Sequence, residues 1–459
     1  MNNRKDEKLY LGVDVGGTKI LAALARRSGK ILGRKRATTP RGDDPQETVA
    51  AITAVIRELL KENGVGRRDV CALGLAVPGV VDPEQGRVVV TPNMNLSGVK
   101  LVPLMQQTFR MPIALGNDVN LGTLGEYWLG SAALADSAVG IFIGTGIGGG
   151  IIIDGELIAG HRGVAGEIGH MRVRPDGPQC GCGARGCLEA FASRTAIERD
   201  LREAIGQGRP SVLTELTQGD LSVIRSSVLR RALADGDALV KEVVAEAAHT
   251  LGDACLQIRH LLDPEVIVLG GGLIEACKFF ILPIVQDTVA ADPLPGIFAG
   301  GKVVVSSLGD DAVVLGAVAL AQQQEGRDPL GKARRKSLGR YPMVADIRPN
   351  RITVGDRTFD QDVYIRANGK VGLRAKIQRD NEPLNVHQVD VAELKAVCKD
   401  RPSILIIGTG HCRSVTLTED AEQFLLRRGV TYELLPSADA AGAYNTIKGR
   451  KAALLHVTC

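Results

Sequence analysis

The sequence predicts an α/β protein of two duplicated lobes followed by a separate small α/β domain, and three observations carry that expectation. Residues 9–25 and 139–157 both read as strand, glycine turn, strand, with Gly12 to Gly16 aligning on Gly140 to Gly144, 128 positions later. Buried-strand runs then alternate with helical periodicity as far as about residue 322. Beyond a basic interruption at 326–340, short alternating strands and a further strand-helix-strand run begin a new pattern.

The elements follow in order. Apolar and β-branched residues flank Gly16-Gly17 on both sides, as in a strand pair closed by a glycine turn. Val49, Ile52, Val55, Ile56, Leu59 and Leu60 mark one face of a helix that Gly64 is placed to end. The second strand-turn-strand unit is built on VGIFIGTGIGGGIIIDGEL. A long helix over about 239–262 carries Leu239, Val243, Ala247, Leu251, Cys255, Ile258 and Leu262 on one stripe and runs into the buried strand EVIVLGGGL. Residues 351–376 hold short strands around an Asn368-Gly369 turn, and ILIIG, the helix TEDAEQFLLRRG and the strand ALLHV follow. The expected boundaries are 1–325 for the two-lobed part, 326–341 for a basic linker and 342–459 for the small domain. Within the first part, one lobe takes about 1–118 with a closing helix 310–325, and the other takes 119–309.

Composition bounds the function. A chain of 459 residues has room for two or three domains, and 44% hydrophobic with 24% charged residues excludes a disordered chain. The net charge of +4 does not indicate a nucleic-acid surface, because the segment 326–340 alone carries +5 and the remainder sums to −1. The N-terminus lacks an apolar signal region and no run of ~18 apolar residues occurs, so a soluble, cytoplasmic protein without membrane contact is expected. Glycine, 55 residues, is well above the typical ~7% and follows no repeat, which directs attention to turns and ligand loops. Three of the nine cysteines fall between 180 and 187, a spacing suited to a metal rather than a disulfide framework.

Gly144-Thr145-Gly146-Ile147-Gly148-Gly149 matches the dinucleotide pattern G-x-G-x-x-G, but a strand and turn follow where that fingerprint needs a helix. No Gly-Lys pair precedes Ser or Thr, so the P-loop pattern fails as well. A tight glycine hairpin is the remaining option, since it lets backbone N–H groups converge on phosphate without Cβ interference. Asp14-Val15-Gly16-Gly17-Thr18-Lys19 offers a second such hairpin, with a carboxylate able to orient hydrated Mg²⁺ and a lysine to neutralise phosphate. Two hairpins at matching places in a repeat point to one nucleotide held between them.

These two loops resemble those of the ROK sugar kinases and repressors, within the actin-like and hexokinase-like ATPase superfamily, and the resemblance spans about residues 9–322. It implies phosphate contacts at Asp14, Gly16, Gly17, Thr18, Lys19, Gly144, Thr145, Gly146, Gly148 and Gly149. Gly271 and Gly272, in the triple-glycine loop, resemble the segment lying against adenosine, and Gly316-Ala317 resembles the start of the closing helix. Asn117-Asp118, by itself a helix-cap pattern, matches the family's sugar-binding Asn and catalytic Asp. Asp118 is then the carboxylate that accepts a sugar hydroxyl proton.

His170, Cys180, Cys182 and Cys187 supply one imidazole and three thiols at close spacing, which suits a structural tetrahedral Zn²⁺ with no open position. The set matches the family's zinc motif. The resemblance further assigns Gly79, Asn93, Asn117, Glu167, His170 and Glu189 to the sugar, with Asn95 competing for the role of Asn93.

The implied activity is ATP-dependent phosphorylation of a hexose 6-hydroxyl, with glucose as substrate and ATP, Mg²⁺ and structural Zn²⁺ as cofactors. N-acetylmannosamine or N-acetylglucosamine kinases are the alternative, and a sugar-sensing regulator is the non-enzyme alternative. Family repressors carry a helix-turn-helix ahead of the first loop, and only eight residues precede Leu9, so a kinase that does not bind nucleic acid is expected. A homodimer is the assembly the resemblance favours. Ile404 to Gly410, the helix through Arg428, the 440–445 stretch and Gly449-Arg450 resemble a small domain related to a mitochondrial complex I assembly factor. An interaction or regulatory module is the expectation there. His411, Cys412, His456 and Cys459 are spaced too irregularly to read as a metal site.

Overall fold

The computed structural model describes residues 8–92, 94–133, 135–292, 294, 301–330, 341–377, 387–400, 402–410, 414–447 and 450–458. The chain forms two compact units, Met1–Gly331 and Lys332–Cys459.

The first unit opens with β1 (Leu9–Val15), β2 (Lys19–Arg26) and β3 (Ile31–Thr38), an antiparallel meander. Helix α1 (Pro45–Glu62) follows, its N-cap Asp44 accepting from the Gln46 N–H and its first position taken by proline. Next comes β4 (Val70–Val77), then the hairpin β5 (Val80–Asp82) and β6 (Arg87–Val90). Helix α2 (Leu101–Phe109) leads into β7 (Ile113–Asn117), and the sheet order is β3-β2-β1-β4-β7. Strands β1 and β4 are apolar almost throughout because both faces of the sheet centre are covered. The alternating ILGRKRAT of β3 reflects its place at the edge.

The plan then repeats. Helix α3 (Asp118–Leu129) precedes β8 (Ala138–Ile143), β9 (Ile147–Ile153) and β10 (Glu156–Leu157). A helical segment follows: α4 (Glu189–Ala192), α5 (Arg194–Gly206), α6 (Leu213–Leu216), α7 (Ser226–Ala234) and α8 (Ala238–Leu262). Strand β11 (Val266–Gly270), helix α9 (Gly272–Ala290), β12 (Lys302–Val305) and helix α10 (Asp311–Gln324) complete the unit. The second sheet runs β10-β9-β8-β11-β12, with antiparallel pairs among β8 to β10 and parallel ones onward. It is the first sheet's topology repeated, so the weak glycine repeat in the sequence is the trace of a duplicated fold.

Helices α3 and α10 pack main chain to main chain. A Cβ on Gly125 would collide with the Ala312 carbonyl, and one on Gly316 with the carbonyl of Leu121. Gly316 therefore lies inside α10, five residues beyond its start at Asp311, rather than at the start of the closing helix. It serves as a crossing point.

In the second unit, β13 (Val344–Arg348), β14 (Arg351–Val354) and β15 (Arg357–Phe359) form a small antiparallel sheet. Strands β16 (Val363–Ile365), β17 (Val371–Leu373), β19 (Ile404–Thr409), β21 (Thr431–Leu435) and β22 (Lys451–His456) form a mixed sheet ordered β17-β16-β22-β19-β21. Strands β18 (Gln388–Val389) and β20 (Thr416–Leu417) pair separately. Helices Val391–Val397 and Glu419–Arg427 pack in the core of one face of the larger sheet, and Ser437–Thr446 in that of the other. Arg374 is wholly buried there, donating to Glu393 at 2.6 and 3.2 Å, to Asp362 at 3.3 Å and to the Gln388 carbonyl. His456 is also buried, its Nδ1 2.5 Å from Asp362, which gives this histidine a structural partner. His411, Cys412 and Cys459 lie outside the described residues. Among the described residues no helix is long and apolar enough to cross a membrane.

Candidate active site

The turn between β1 and β2 closes with the Gly16 N–H donating to the Lys19 carbonyl at 2.9 Å, and Thr39 braces it from beneath. The Thr39 hydroxyl donates to the Gly16 carbonyl at 2.6 Å and its N–H to that of Thr18 at 3.1 Å. Gly17, Thr18 and Lys19 are left exposed. The Lys19 ammonium pairs with Asp310 at 3.2 Å, and Asp310 also takes Arg36 at 2.7 Å. Asp310 was not expected at this loop. It is held by the segment before it, where the fully buried Glu126 accepts from the Ser306 hydroxyl at 2.5 Å, the Leu308 N–H at 2.9 Å and the Ser131 N–H at 2.7 Å.

The second turn is shorter, with Gly144 N–H donating to the Gly146 carbonyl at 2.9 Å and Thr145 exposed at its tip. Gly148 and Gly149 stand apart from the turn, paired in the ladder opposite Phe142 and Ile141. Their missing side chains admit Val119 to one and Gly166 with Ile168 to the other. Gly271, at φ +86° the N-cap of α9, lies against the backbone of Ile143, where a Cβ would meet the carbonyl oxygen at 2.5 Å. Gly272 begins that helix. The third glycine loop thus abuts the root of the second.

Asp118 opens α3 at the end of β7, next to the cap residue Asn117. Asn117 Oδ1 accepts from the N–H groups of Val119 and Asn120 at 3.0 Å each, and its Nδ2 donates to the Gly79 carbonyl at 3.0 Å. The capping pattern is thus real, and it leaves one amide hydrogen for another partner. Burial pushes the Asp118 carboxyl up to about 6, opposed by the Val119 N–H and reinforced by the charge of Glu167. Asp14 is pushed up to about 7, chiefly by burial, then by the charge of Asp118, with Lys19 acting in the opposite sense. These couplings bring β1, α3, the first turn and the Glu167 loop into one electrostatic neighbourhood.

Gly79 takes φ +87°, and a Cβ there would strike Val90 and Thr91 of the facing strand end. Asn93 lies outside the described residues. Asn95 donates to the carbonyls of Gly42 and Asp44 at 2.7 and 2.8 Å and accepts from the Thr48 hydroxyl at 2.8 Å. Its amide is spent on bracing the start of α1.

The exposed Glu167 caps a single 3₁₀ turn, Ile168–His170, which delivers His170 to the cysteine loop. Ligating atoms of His170, Cys180, Cys182 and Cys187 all lie within 4.8 Å of one another. Cys182 and Cys187 sulfurs are 3.8 Å apart, and Cys180 Sγ lies 3.7 Å from His170 Nδ1. Zinc bonds of ~2.3 Å to sulfur and ~2.0 Å to nitrogen give tetrahedral edges of about 3.8 and 3.5 Å, so the donor set fits that ion. A disulfide would need about 2.05 Å. Attachment through Nδ1 leaves the Nε2 of His170 for another partner. Glu189, at the start of α4, accepts from the Ile147 N–H at 2.8 Å through Oε2 and from the Cys180 thiol at 3.6 Å through Oε1.

Comparison with known proteins agrees with this geometry. The profile of the ROK family matches residues 10–324, and that of a protein family of unknown function, DUF498/DUF598, matches residues 344–456. The chain is 33% identical over 320 residues to a glucokinase of Halalkalibacterium halodurans, covering 70% of this chain and 96% of that protein. It is 28% identical over 319 residues to the xylose repressor of Caldicellulosiruptor bescii, covering 69% of this chain and 78% of that one. A crystal structure of a ROK family glucokinase from Streptomyces griseus, in complex with glucose and AMPPNP, superimposes with TM-score 0.60 at 32% identity, covering 69% of this chain and 99% of that one. With its two-lobed actin-like ATPase fold and a separate α/β domain later in the sequence, the chain belongs to the ROK family and continues into a C-terminal DUF498/DUF598 domain.

Proposed function

We propose that residues 1–325 form an ATP-dependent hexose kinase that phosphorylates the 6-hydroxyl of glucose. The observation that carries this reading is the recurrence of a glycine hairpin at the same place in two sheets of one topology, with Asp118 opening the helix that follows the first. The glucose and AMPPNP bound by the Streptomyces griseus relative support the choice of ligands.

In this reading Asp118 takes the proton of the 6-hydroxyl. The turns at Gly16 to Lys19 and Gly144 to Gly146 direct N–H groups at the phosphates, and Lys19 neutralises charge there. Asp14 is the carboxylate that would orient hydrated Mg²⁺, which would offset phosphate charge there. Asn93, Asn117, Glu167, His170 and Glu189 hold the sugar, with Gly79 shaping its loop. His170, Cys180, Cys182 and Cys187 would hold Zn²⁺, which supplies rigidity only. Burial pushes the Cys180 thiol up to about 12, and a bound cation is what makes such a thiol a thiolate ligand. Gly271 and Gly272 lie against the adenosine in this scheme. The lobes are about 1–118 with 310–325, and 119–309; residues 342–459 act as an interaction or regulatory module, and the assembly is a homodimer.

The test is a coupled ADP-release assay with ATP across hexoses and N-acetylhexosamines. Turnover confined to N-acetylmannosamine or N-acetylglucosamine would shift the substrate. No turnover on any sugar would favour the second reading, a sugar-sensing regulator, to which the similarity to a xylose repressor lends weight.

A further inference from the structure

The second hairpin is docked on a cation that lies outside its glycine motif. Helix α5 begins at Arg194, after the N-cap Ser193. The Arg194 N–H donates to the Gly144 carbonyl at 3.0 Å, and the Thr195 hydroxyl donates to the Thr145 carbonyl at 2.8 Å. The Gly144 and Thr145 carbonyls are therefore both tied to α5, and the third carbonyl of the turn, that of Gly146, accepts from the Gly144 N–H. The Arg194 guanidinium meets the Thr145 hydroxyl oxygen at 3.0 Å. Arginine has no acceptor, so Thr145 must accept in that contact. Its own O–H is left to donate elsewhere, and phosphate oxygens are acceptors only.

We propose that Arg194 is a positioning residue for nucleotide phosphate: it fixes Thr145 so that the hydroxyl hydrogen faces the polyphosphate of a bound nucleoside di- or triphosphate. The inference rests on the kinase reading above and adds a residue to it. Glu198 lies 3.4 Å from Arg194 and is shared with Arg202 at 3.6 Å. Glu198 thereby steadies the Arg194 guanidinium, while Glu189, accepting from the Ile147 N–H, is a second carboxylate at the turn. Planar, pre-oriented arginine suits such an anchoring role better than lysine.

The test measures binding of ADP and of AMPPNP to the full chain by calorimetry, without sugar, for wild type, Arg194→Gln, Arg194→Lys, Thr145→Val, Thr145→Ser and the Arg194→Gln/Thr145→Val pair. Arg194→Gln and Thr145→Val should each weaken nucleotide binding roughly tenfold, as expected for loss of a charge-assisted contact. The pair should be little weaker than either alone, because the two side chains act as one unit. Arg194→Lys should recover part of the loss and Thr145→Ser most of it, with glucose affinity unchanged throughout. If Arg194→Gln fails to fold, Arg194→Lys carries the test, because wild-type nucleotide affinity there beside a weakened Thr145→Val would leave the arginine no positioning role. Wild-type affinity in Arg194→Gln or Thr145→Val, or fully additive losses, would overturn the inference alone. A wild-type chain that binds neither nucleotide would overturn the kinase reading and this inference with it.

Discussion

Glu189 Oε2 accepts the backbone N–H of Ile147 at 2.8 Å, while the other oxygen of the same carboxylate meets Cys180. The cysteine loop and the second glycine hairpin therefore share a side chain. Cys182→Ser should lose zinc, measured by elemental analysis, and weaken glucose about 10- to 100-fold, as disrupted ligand shells commonly do. Nucleotide affinity should fall too, by less. Active wild-type protein without zinc would sink the assignment.

Asp118→Asn should lower turnover by about 10²- to 10⁴-fold, the usual contribution of a general base, with glucose affinity within a few-fold of wild type. The same change should not destabilise the protein. Asp118 has its carboxyl raised from 3.8 to about 6. Its contribution to stability is thus fully present below the unfolded value and lost as pH rises through about 6. At pH 7.5 the ionised carboxylate is a cost that asparagine lacks, so thermal melts should place the variant at or above wild type. Unaltered turnover would refute the role of Asp118.

The pH profile of kcat/KM should carry the same signature. Asp118 must be ionised to accept a proton and Asp14 to act as a carboxylate, and their carboxyls lie near about 6 and about 7. Rates should fall as pH drops through that range, as a joint titration of two coupled groups. A profile flat from about pH 5 to 8 would contradict it.

Arg374→Met should destabilise the second unit by about 3–5 kcal/mol, because it leaves Glu393 and Asp362 buried without their guanidinium. Scanning calorimetry should show the loss, and sugar phosphorylation measured below that transition should persist. Turnover that falls with the second unit's melting would remove the accessory role proposed for it.

The turns that carry the candidate site were legible as turns because each is local: a few residues of fixed spacing, such as Asp14 to Lys19 or Cys180 to Cys187. The duplication was legible too, since β1 and β8 keep the same glycine positions. Asp310, Glu126 and Arg194 were not, because their importance arises from partners 291, 180 and 49 positions away. No local pattern marks them. Asn95 illustrates a different limit. A polar residue in a candidate sugar loop looks available until the carbonyls of Gly42 and Asp44 are seen to occupy its amide. Gly148 and Gly149 extend a convincing motif on paper, yet the strand ladder gives them a packing task. Gly316 was expected to open its helix, and the helix instead begins where Asp310 and Asp311 can meet Lys19, Arg34 and Arg36.

The crossing of α3 and α10 at Gly125 and Gly316 has a consequence for anyone surveying variants of this chain. Those contacts are backbone against backbone, so no rotamer change can make room for even one methyl group. A saturation survey scored by growth or turnover would rank both positions beside Asp118 in intolerance. Separating them requires measuring soluble, folded protein alongside activity, since alanine at either glycine acts on the fold and not on the chemistry.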